Sequence, residues 1–319
     1  MKKTWQDYLK KNFKDIDLFI KYLKLDKTKQ TLILKDPKFP INIPYFFAKK
    51  IKKNCLDDPI LKQFLPLKKE LKYKKNYLLD PLCETKFKNK NLLQKYSKRA
   101  LLLTTNNCGM NCRFCFRKNL DFSPSNLKEE LHLLKENKTI SEIILSGGDP
   151  LLLSNNKLKD LLHEIDNIPH IKRIRFHTRI LTALPQRIDL EFLKILKKIN
   201  KQIIFALHIN HPNEILENLF FYLEKIQKLK IPVLTQTVFL KGINDDANVL
   251  CSLFSKLIDH GILPYYIFQL DKVQGANHFE IPTSKGKKIM KKLKENLPGY
   301  AVPRYAQELP FKKNKTIII

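Results

Sequence analysis

The segment ALLLTTNNCGMNCRFCFR, residues 100–117, joins a short apolar run to three closely spaced cysteines. Cys108, Cys112 and Cys115 have the spacing CxxxCxxC. Three thiolates so close together can bind one metal centre, but Fe–S clusters are usually held by four cysteines. An iron that keeps an open position can bind a reactant instead of only stabilising a fold. The segment therefore predicts a reactive Fe–S cluster placed directly after a strand.

A structural zinc site is the alternative for the same cysteines. Such a site needs four nitrogen or sulfur ligands, but Cys55, Cys83 and Cys251 are scattered, and His132 is the only histidine that follows closely. Zinc ligands usually come as two CxxC-like halves. Disulfides are disfavoured by the tight spacing and by the absence of a secretory signal pattern.

Length and hydropathy predict a globular protein. The chain has 319 residues, of which 43% are hydrophobic, so it can bury a sizeable core. No run approaches the roughly 18–20 apolar residues that a membrane span needs, and the first residues turn polar at once. We therefore expect a cytoplasmic protein without a membrane partner, in a reducing compartment that suits a labile cluster.

The net charge of +29 raises the possibility of a nucleic-acid partner. However, only eight of the 60 basic residues are arginine, and the lysines are spread over many segments. We therefore interpret the charge as a solvated lysine coat. Arginine stands out where it does occur, because Arg99, Arg113 and Arg117 bracket the cysteines. This pattern is typical of bidentate contacts to carboxylate or phosphate, with surface ion pairs as the alternative.

Short β-rich runs alternate with helical patterns from residue 100 onward. The spacing is that of βα units, and it predicts an α/β fold, a partial (β/α)6 TIM-like barrel that follows an N-terminal helical elaboration. We expect three parts, residues 1–98, 99–282 and 283–319. The predicted strands are 100–105, 142–146, 173–178, 202–209, 233–240 and 265–270, and the predicted helices are 127–136, 158–165, 190–199, 214–229 and 247–260.

Polar residues stand at the carboxyl ends of the predicted strands, where parallel barrels carry their chemistry. The only Gly-Gly pair of the chain lies there, in SGGDP (146–150), where glycine lets backbone approach a ligand closely. The alternative is a tight βα turn. The strand-end candidates are Cys108, Gly147, Gly148, His177, Arg179, His208, Asn210, Gln236 and Asp271.

The CxxxCxxC spacing after a strand resembles the radical S-adenosylmethionine (SAM) superfamily. The resemblance implies that the three cysteines hold a [4Fe–4S] cluster, that SAM binds its fourth iron, and that one electron releases a 5′-deoxyadenosyl radical. SGGDP is similar to the GGxP-like element of that superfamily, whose backbone meets the amino group of SAM. This assigns Gly147, Gly148 and Asp149 to cofactor binding.

Longer matches resemble the lysine 2,3-aminomutases: KYSKRALLL (95–103), HINHPNE (208–214) and PYYIFQLD (264–271). LDKVQGANHF (270–279) is similar to the branch that supplies (R)-β-lysine for modifying elongation factor P, and the terminal extensions of the lysine-degrading branch are missing. The resemblance implies a cytoplasmic isomerase that converts (S)-α-lysine to (R)-β-lysine with pyridoxal phosphate (PLP). It further implies an electron donor such as flavodoxin or ferredoxin, and a link to elongation factor P and its lysyl-transferring ligase.

The same resemblance implies roles for individual residues. Lys315 would be the catalytic lysine that carries PLP, in a tail that follows a C-terminal helix. The sequence departs from the degradative enzymes in that LPFKKN (309–314) replaces a glycine-rich loop, and Glu308 replaces an aspartate. The remaining implied contacts are Arg99 and Lys95 to the PLP phosphate, His208 and Gln236 to SAM, Arg117 to the substrate α-carboxylate, and Asp271 and Glu308 to its ε-ammonium.

Two other functions remain open from the residues. One is a radical SAM enzyme that acts on RNA, such as a methyltransferase, which the positive charge favours. It would need an additional cysteine that becomes methylated, for which Cys251 is the candidate. The other is a non-enzymatic Fe–S or zinc protein that binds nucleic acid, and the alignment of polar residues at the strand ends argues against it.

Overall fold

A computed structural model describes residues 3–124 and 126–319 of the chain. The α-helices of this part are α1 (Trp5–Leu9), α2 (Ile16–Leu23), α3 (Lys27–Gln30), α4 (Tyr45–Lys50), α5 (Lys128–Glu136), α6 (Asn155–Asp166), α7 (Ile180–Ala183), α8 (Leu190–Lys197), α9 (Leu219–Gln227), α10 (Ala247–Ile258) and α11 (Thr283–Asn296). The strands are β1 (Lys88–Asn89), β2 (Leu92–Tyr96), β3 (Arg99–Thr105), β4 (Glu142–Gly147), β5 (Arg173–Thr178), β6 (Gln202–His208), β7 (Val233–Val238), β8 (Leu263–Phe268), β9 (Arg304–Gln307) and β10 (Thr316–Ile317).

These strands form one sheet in chain order, from β1 to β10. Strands β3 to β9 are parallel to one another. At one edge β2 pairs antiparallel with β3, and β1 with β2; at the other edge β10 pairs antiparallel with β9. The order is that of a singly wound barrel, in which each strand is followed by a crossover and the next strand lies beside it.

Side chains bridge the two edges of this sheet. Lys95 Nζ, on β2, donates to Glu308 Oε1 at 3.1 Å and to the carbonyl of Leu309 at 2.7 Å, directly after β9. The rings of Phe87 and Phe311 are 5.7 Å apart and add an apolar contact between the same two edges. The sheet therefore closes by side chains instead of backbone pairing, which confirms the predicted partial TIM-like barrel.

Alternation along the strands explains why the chain folds this way. In β5, Ile174, Phe176 and Thr178 are buried, whereas Arg175 and His177 are only partly buried and share the opposite face. Phe176 stacks on Phe205 of β6, with ring centroids 4.8 Å apart. Burying a side chain of this size contributes about 1.5–3 kcal/mol. The apolar face packs into the main core, and the polar face is left for the site.

The structure differs from the sequence prediction at the two edges of the barrel. Strand β9 is a seventh parallel strand that the prediction missed, and the predicted helical region 1–98 also contains β1 and β2. The helix expected over 214–229 begins only at Leu219, because a 3-10 turn over Pro212–Glu214 comes first. The sheet runs across both expected boundaries, so the division into three parts stays a prediction.

Among the described residues, no helix is long and apolar enough to cross a membrane.

Candidate active site

The cysteine loop follows β3 and is held in place by the N-terminal region. Asn42 Nδ2 donates to the carbonyl of Cys108 at 2.8 Å, and Asn12 Nδ2 donates to the carbonyl of Gly109 at 2.9 Å. The amide of Arg113 donates to the carbonyl of Gln63 at 2.9 Å. The helical elaboration therefore shapes the loop that carries the thiols.

The three thiols are close enough to influence one another. Burial, followed by the charges of Asp149, Cys112 and Cys115, raises the pKa of Cys108 well above its usual value. Burial raises the pKa of Cys112 to about 11 and also raises the pKa of Cys115. Thiols in such surroundings ionise on binding a metal, and binding then releases their protons. The donor set, three sulfurs of one short loop, fits an Fe–S cluster better than a four-ligand zinc site.

Within residues 3–124 and 126–319, no three Cys, His, Asp or Glu side chains already have the arrangement of an ion site. Ligation by Cys108, Cys112 and Cys115 therefore stays a prediction.

The Gly-Gly pair lies directly against the cysteine loop. Gly147 has φ +115°, and a Cβ there would lie 2.6 Å from the carbonyl oxygen of Thr105. A Cβ on Gly148 would lie 2.0 Å from the carbonyl oxygen of Asn107. The amide of Gly148 donates to the Thr105 carbonyl at 2.6 Å. Both glycines are therefore required by the approach of β4 to the loop, whatever further contact they make to SAM.

We expect Gly148→Ala to disturb the cysteine loop, because the new methyl group would collide with backbone. Overpacking costs about 1–3 kcal/mol even where side chains can move, so the free energy of unfolding should fall by at least that amount, and iron content should fall with it. Gly299→Ala is the matched control, since no atom of the described residues would lie within 4 Å of a Cβ at that position. Urea unfolding and iron analysis of both variants check this. Parent-like values for Gly148→Ala would contradict the role of the close approach.

Asp149 organises the end of the neighbouring strand. Its carboxylate accepts from Thr178 Oγ1 at 2.8 and 2.9 Å and from the amides of Arg179, Ile180 and Leu151 at 2.7, 2.9 and 3.1 Å. Protein donors thus engage the carboxylate fully. Its predicted contribution to SAM binding stays a prediction, and these bonds assign it a structural role in addition.

His208 and Gln236 lie side by side, as paired residues of β6 and β7. His208 Nε2 lies 3.0 Å from Asn210 Oδ1. Burial, together with the positive charge of Arg179, lowers the pKa of His208 to about 3, so the imidazole is neutral. A neutral imidazole and an amide side by side can offer both donors and acceptors to a polar ligand. The predicted SAM contacts are therefore brought together.

Lys315 lies in the lumen of the barrel and not in a solvated tail. Its Nζ is 2.5 Å from Glu308 Oε2 and 5.0 Å from the centroid of the Phe268 ring. Burial raises the pKa of Glu308, but the charge of Lys315 and hydrogen bonds from Lys315 and Tyr96 outweigh it and bring the value to about 2. Glu308 is therefore an ionised carboxylate. The altered loop 309–314 still delivers the lysine to the site, and aromatic faces beside the amine fit a planar cofactor ring.

The two cations expected at the PLP phosphate have different neighbours. Lys95 binds Glu308, as described above, and Arg99 packs over the ring of Tyr96 at 4.2 Å. The hydroxyl of Tyr96 donates to Glu308, a contact that the sequence did not predict. Arg175, on the lumen face of β5, has a buried Nε with no partner among the described residues. This orphan donor fits an anionic group in the same lumen.

Arg117 is engaged by a carboxylate of the protein itself. Its Nε and Nη2 donate to Glu84 at 2.8 and 2.7 Å, and its Nη1 donates to Ser146 Oγ at 3.0 Å. The predicted bidentate geometry is present, but Glu84 takes one edge of the guanidinium. Glu84 was missed because it lies in a 3-10 turn, Glu84–Lys86, far from any motif. The predicted contact of Arg117 with the substrate α-carboxylate stays a prediction.

Asp271 is a partly buried carboxyl group that no hydrogen-bond donor of residues 3–124 or 126–319 satisfies. Burial and the negative charges of Glu308 and Glu84 raise its pKa to about 7, while Lys315 and Arg117 act in the opposite sense. Asp271 is therefore within electrostatic reach of both the Lys315–Glu308 pair and the Arg117–Glu84 pair. A carboxyl group held in this way is poised to receive a cation.

The sequence pattern of the Radical SAM superfamily matches residues 102–250. The L-lysine 2,3-aminomutase of Buchnera aphidicola is 41% identical over 88% of this chain and 84% of its own length. The enzymes of the same name from Haemophilus influenzae and Escherichia coli are 38% and 34% identical, over 98% and 99% of this chain and 95% and 94% of their own lengths. The chain belongs to the lysine 2,3-aminomutase family.

This membership confirms the predicted family and the assignment as a radical SAM isomerase. A [4Fe–4S] cluster, SAM and PLP are the cofactors that follow from it. The zinc alternative is thereby set aside, and the alternative of an RNA-modifying enzyme gains no support from these relatives. The roles of individual residues rest on the geometry described above.

Proposed function

We propose that the protein converts (S)-α-lysine to (R)-β-lysine in support of elongation factor P modification. The observation that carries the proposal is the convergence of Asp271, Glu308, Lys315 and Arg117 in one barrel lumen. This set offers carboxylates for an ammonium group and a guanidinium for a carboxylate. Free lysine carries both of these charged groups, at opposite ends of a flexible chain.

The lysine pocket needs a counter-charge for the ε-ammonium, because a buried cation without a partner costs several kcal/mol. Asp271 can supply it, since its carboxyl group accepts no hydrogen bond from the described residues that a ligand would have to displace. Glu308 lies beside it and is ionised at neutral pH. At the other end, Arg117 is held by Glu84 in a fixed orientation, so its remaining edge can receive the α-carboxylate without losing side-chain entropy on binding.

When bound, the cluster and SAM would supply a 5′-deoxyadenosyl radical, and PLP would supply the aldehyde carbon that binds the amino nitrogen of lysine while this nitrogen moves from the α-carbon to the β-carbon. The protein positions the reacting atoms. Glu308 holds Lys315 Nζ beside the faces of Phe268 and Tyr266, at 5.0 and 5.9 Å. Lys95, Arg99 and Arg175 would hold the anionic phosphate.

We expect lysine capture to weaken as the pH falls below about 7. Asp271 has a pKa of about 7, raised by burial and by Glu308 and Glu84, and only its ionised form attracts an ammonium group. Below that pH, kcat/KM for lysine should fall by about tenfold per unit, since this ratio reports groups of the free enzyme. In Asp271→Asn, the plot of kcat/KM against pH should no longer show this fall on the acidic side. An unchanged acidic limb in that variant would assign the dependence to another group.

Asp271→Asn should also weaken lysine binding by roughly 2–5 kcal/mol, the scale for removing one partner of a buried charge pair. The cluster and bound PLP should remain, because Asp271 ligates neither. Asp160→Asn, on the exposed face of α6, is the control for a change of charge alone. Isothermal titration with lysine measures the effect. Parent-like lysine binding by Asp271→Asn would exclude Asp271 as the ammonium partner.

The link to elongation factor P rests on the resemblance of residues 270–279 to that branch, whereas the expectation of an electron donor such as a flavodoxin or ferredoxin follows from the radical SAM chemistry. A coupled assay tests the link. The reconstituted protein is incubated with free lysine, SAM, a reductant, elongation factor P and its lysyl-transferring ligase. The mass of elongation factor P is then measured by mass spectrometry. We expect the factor to carry β-lysine, and stronger modification than with α-lysine alone. Equal modification with and without the protein would argue against the link.

A further inference from the structure

Arg179, one of the strand-end candidates, lies beside one of the three cysteines. Its Nη1 lies 2.6 Å from Cys112 Sγ. Its Nη2 donates to Gln63 Oε1 at 2.6 Å and to Glu214 Oε2 at 2.9 Å. The side chain is 6% exposed. A buried guanidinium is thus directed at the thiol by an amide from the N-terminal region and a carboxylate from the barrel.

The surroundings fix this guanidinium in place. The rings of Phe64 and Phe114 lie 5.1 and 5.4 Å from it. Gln63 and Glu214 are also joined to each other, since Gln63 Nε2 donates to Glu214 Oε1 at 3.0 Å. The backbone amide of Arg179 is held by Asp149. Every group that positions the arginine is itself fixed, so the guanidinium has little freedom to turn away from Cys112.

Arg179 also has an unused donor. Its Nε is buried and has no hydrogen-bond partner among the described residues. Buried N–H groups are normally satisfied, so an orphan deserves an explanation. A sulfur of the cluster, beside the Cys112 thiolate, is an acceptor of the right chemistry.

We propose that Arg179 is a positioning residue for the cluster, which donates to the Cys112 sulfur and stabilises the reduced state. The proposal rests on the proposed ligation of the cluster by Cys108, Cys112 and Cys115. In the step concerned, the cluster takes one electron from an external one-electron reductant such as a flavodoxin. No bond to the protein forms or breaks. The added negative charge lies next to a fixed positive one.

The sign of the effect follows from charge and hydrogen bonding. Hydrogen bonds to cluster sulfurs and the local net charge are among the factors that set the reduction potential. Arg179 favours the reduced cluster, so removing its charge should lower the potential. Glu214 is the counter-charge, so neutralising it should leave the guanidinium charge uncompensated and raise the potential. A purely structural role would not give two shifts of opposite sign.

The test compares reduction potentials of the anaerobically reconstituted full-length protein. In Arg179→Gln we expect the reduction equilibrium to shift about tenfold toward the oxidised cluster, which is about 59 mV for one electron. In Glu214→Gln we expect a shift in the opposite direction. Arg187→Gln is the control, because Arg187 is also buried but donates to the carbonyl of Leu151, and no hydrogen bond of the described residues joins it to a cysteine. Its potential should match the parent.

The outcomes separate this inference from the one it rests on. If the parent assembles a cluster and the two variants keep its potential, or shift it in the same direction, the role of Arg179 is wrong while the ligation stands. If variants in which Cys108, Cys112 or Cys115 is replaced keep the cluster of the parent, the proposed ligation is wrong, and the inference about Arg179 is wrong with it. If Arg179→Gln does not fold, Glu214→Gln decides: a raised potential supports the inference and an unchanged potential overturns it.

Discussion

Replacing Cys112 by alanine is expected to abolish completely the electron paramagnetic resonance signal of the reduced cluster. With only three cysteines in the loop, removing one leaves two sulfurs, too few to hold a [4Fe–4S] cluster against loss of iron. Burial has raised the pKa of all three thiols, so ligation is what ionises them. Iron analysis of the anaerobically reconstituted variant should show the same loss.

The control for this change is Cys251→Ala. Cys251 lies on α10, on the helical side of the barrel and outside the loop. It should keep the iron content and the signal of the parent, including its perturbation by added SAM. A normal signal in Cys112→Ala, or an equal loss in Cys251→Ala, would contradict the assignment of the cluster to the loop.

Replacing Lys315 by arginine is expected to abolish both turnover and covalent attachment of pyridoxal phosphate. Arginine can keep the ion pair with Glu308, but it cannot supply the neutral primary amine that reacts with a carbonyl group. The measurement is borohydride reduction of the PLP-loaded protein followed by peptide mapping. In the parent, the pyridoxyl mass should lie on the peptide that contains Lys315, and in the variant no peptide should carry it.

Lys313→Ala is the matched control in the same tail, because Lys313 is exposed. It should keep the label and the activity. The label on Lys272 or Lys95 of the parent, or no label at all on protein that has bound PLP, would contradict the role of Lys315.

The sequence predicted the central part of the barrel well. Strands β3 to β8 fall within a few residues of the predicted runs, because each is rich in buried apolar residues and helical segments separate most of them. Strand β9 was missed because Arg304–Gln307 is only four residues long and mixes charge with small and aromatic residues. Such a segment becomes a strand through its pairing with β8, and pattern alone does not show that.

The candidate site was predicted unevenly. Motifs predicted which residues meet cofactors or substrate, and several of these residues stand at strand ends in recognisable strings. The carboxylates that hold the arginines were missed: Glu70 binds the buried Arg113, Glu84 binds Arg117, and Glu214 binds Arg179. Each pair joins residues far apart in the chain, and no local pattern records such a pairing. Sparse arginine in a lysine-rich chain was the available signal, and it indicated bidentate contacts without naming the partner.

The proposed reaction moves an amino group within lysine, and the most direct test follows that nitrogen. Anaerobically reconstituted protein is supplied with SAM, PLP, a low-potential reductant and lysine labelled with heavy nitrogen at the α-position. We predict β-lysine of R configuration that carries the label at its β-position, with no product when SAM or the reductant is omitted. If protein that demonstrably holds both the cluster and PLP returns the lysine unchanged, or methylates RNA instead, the account is wrong.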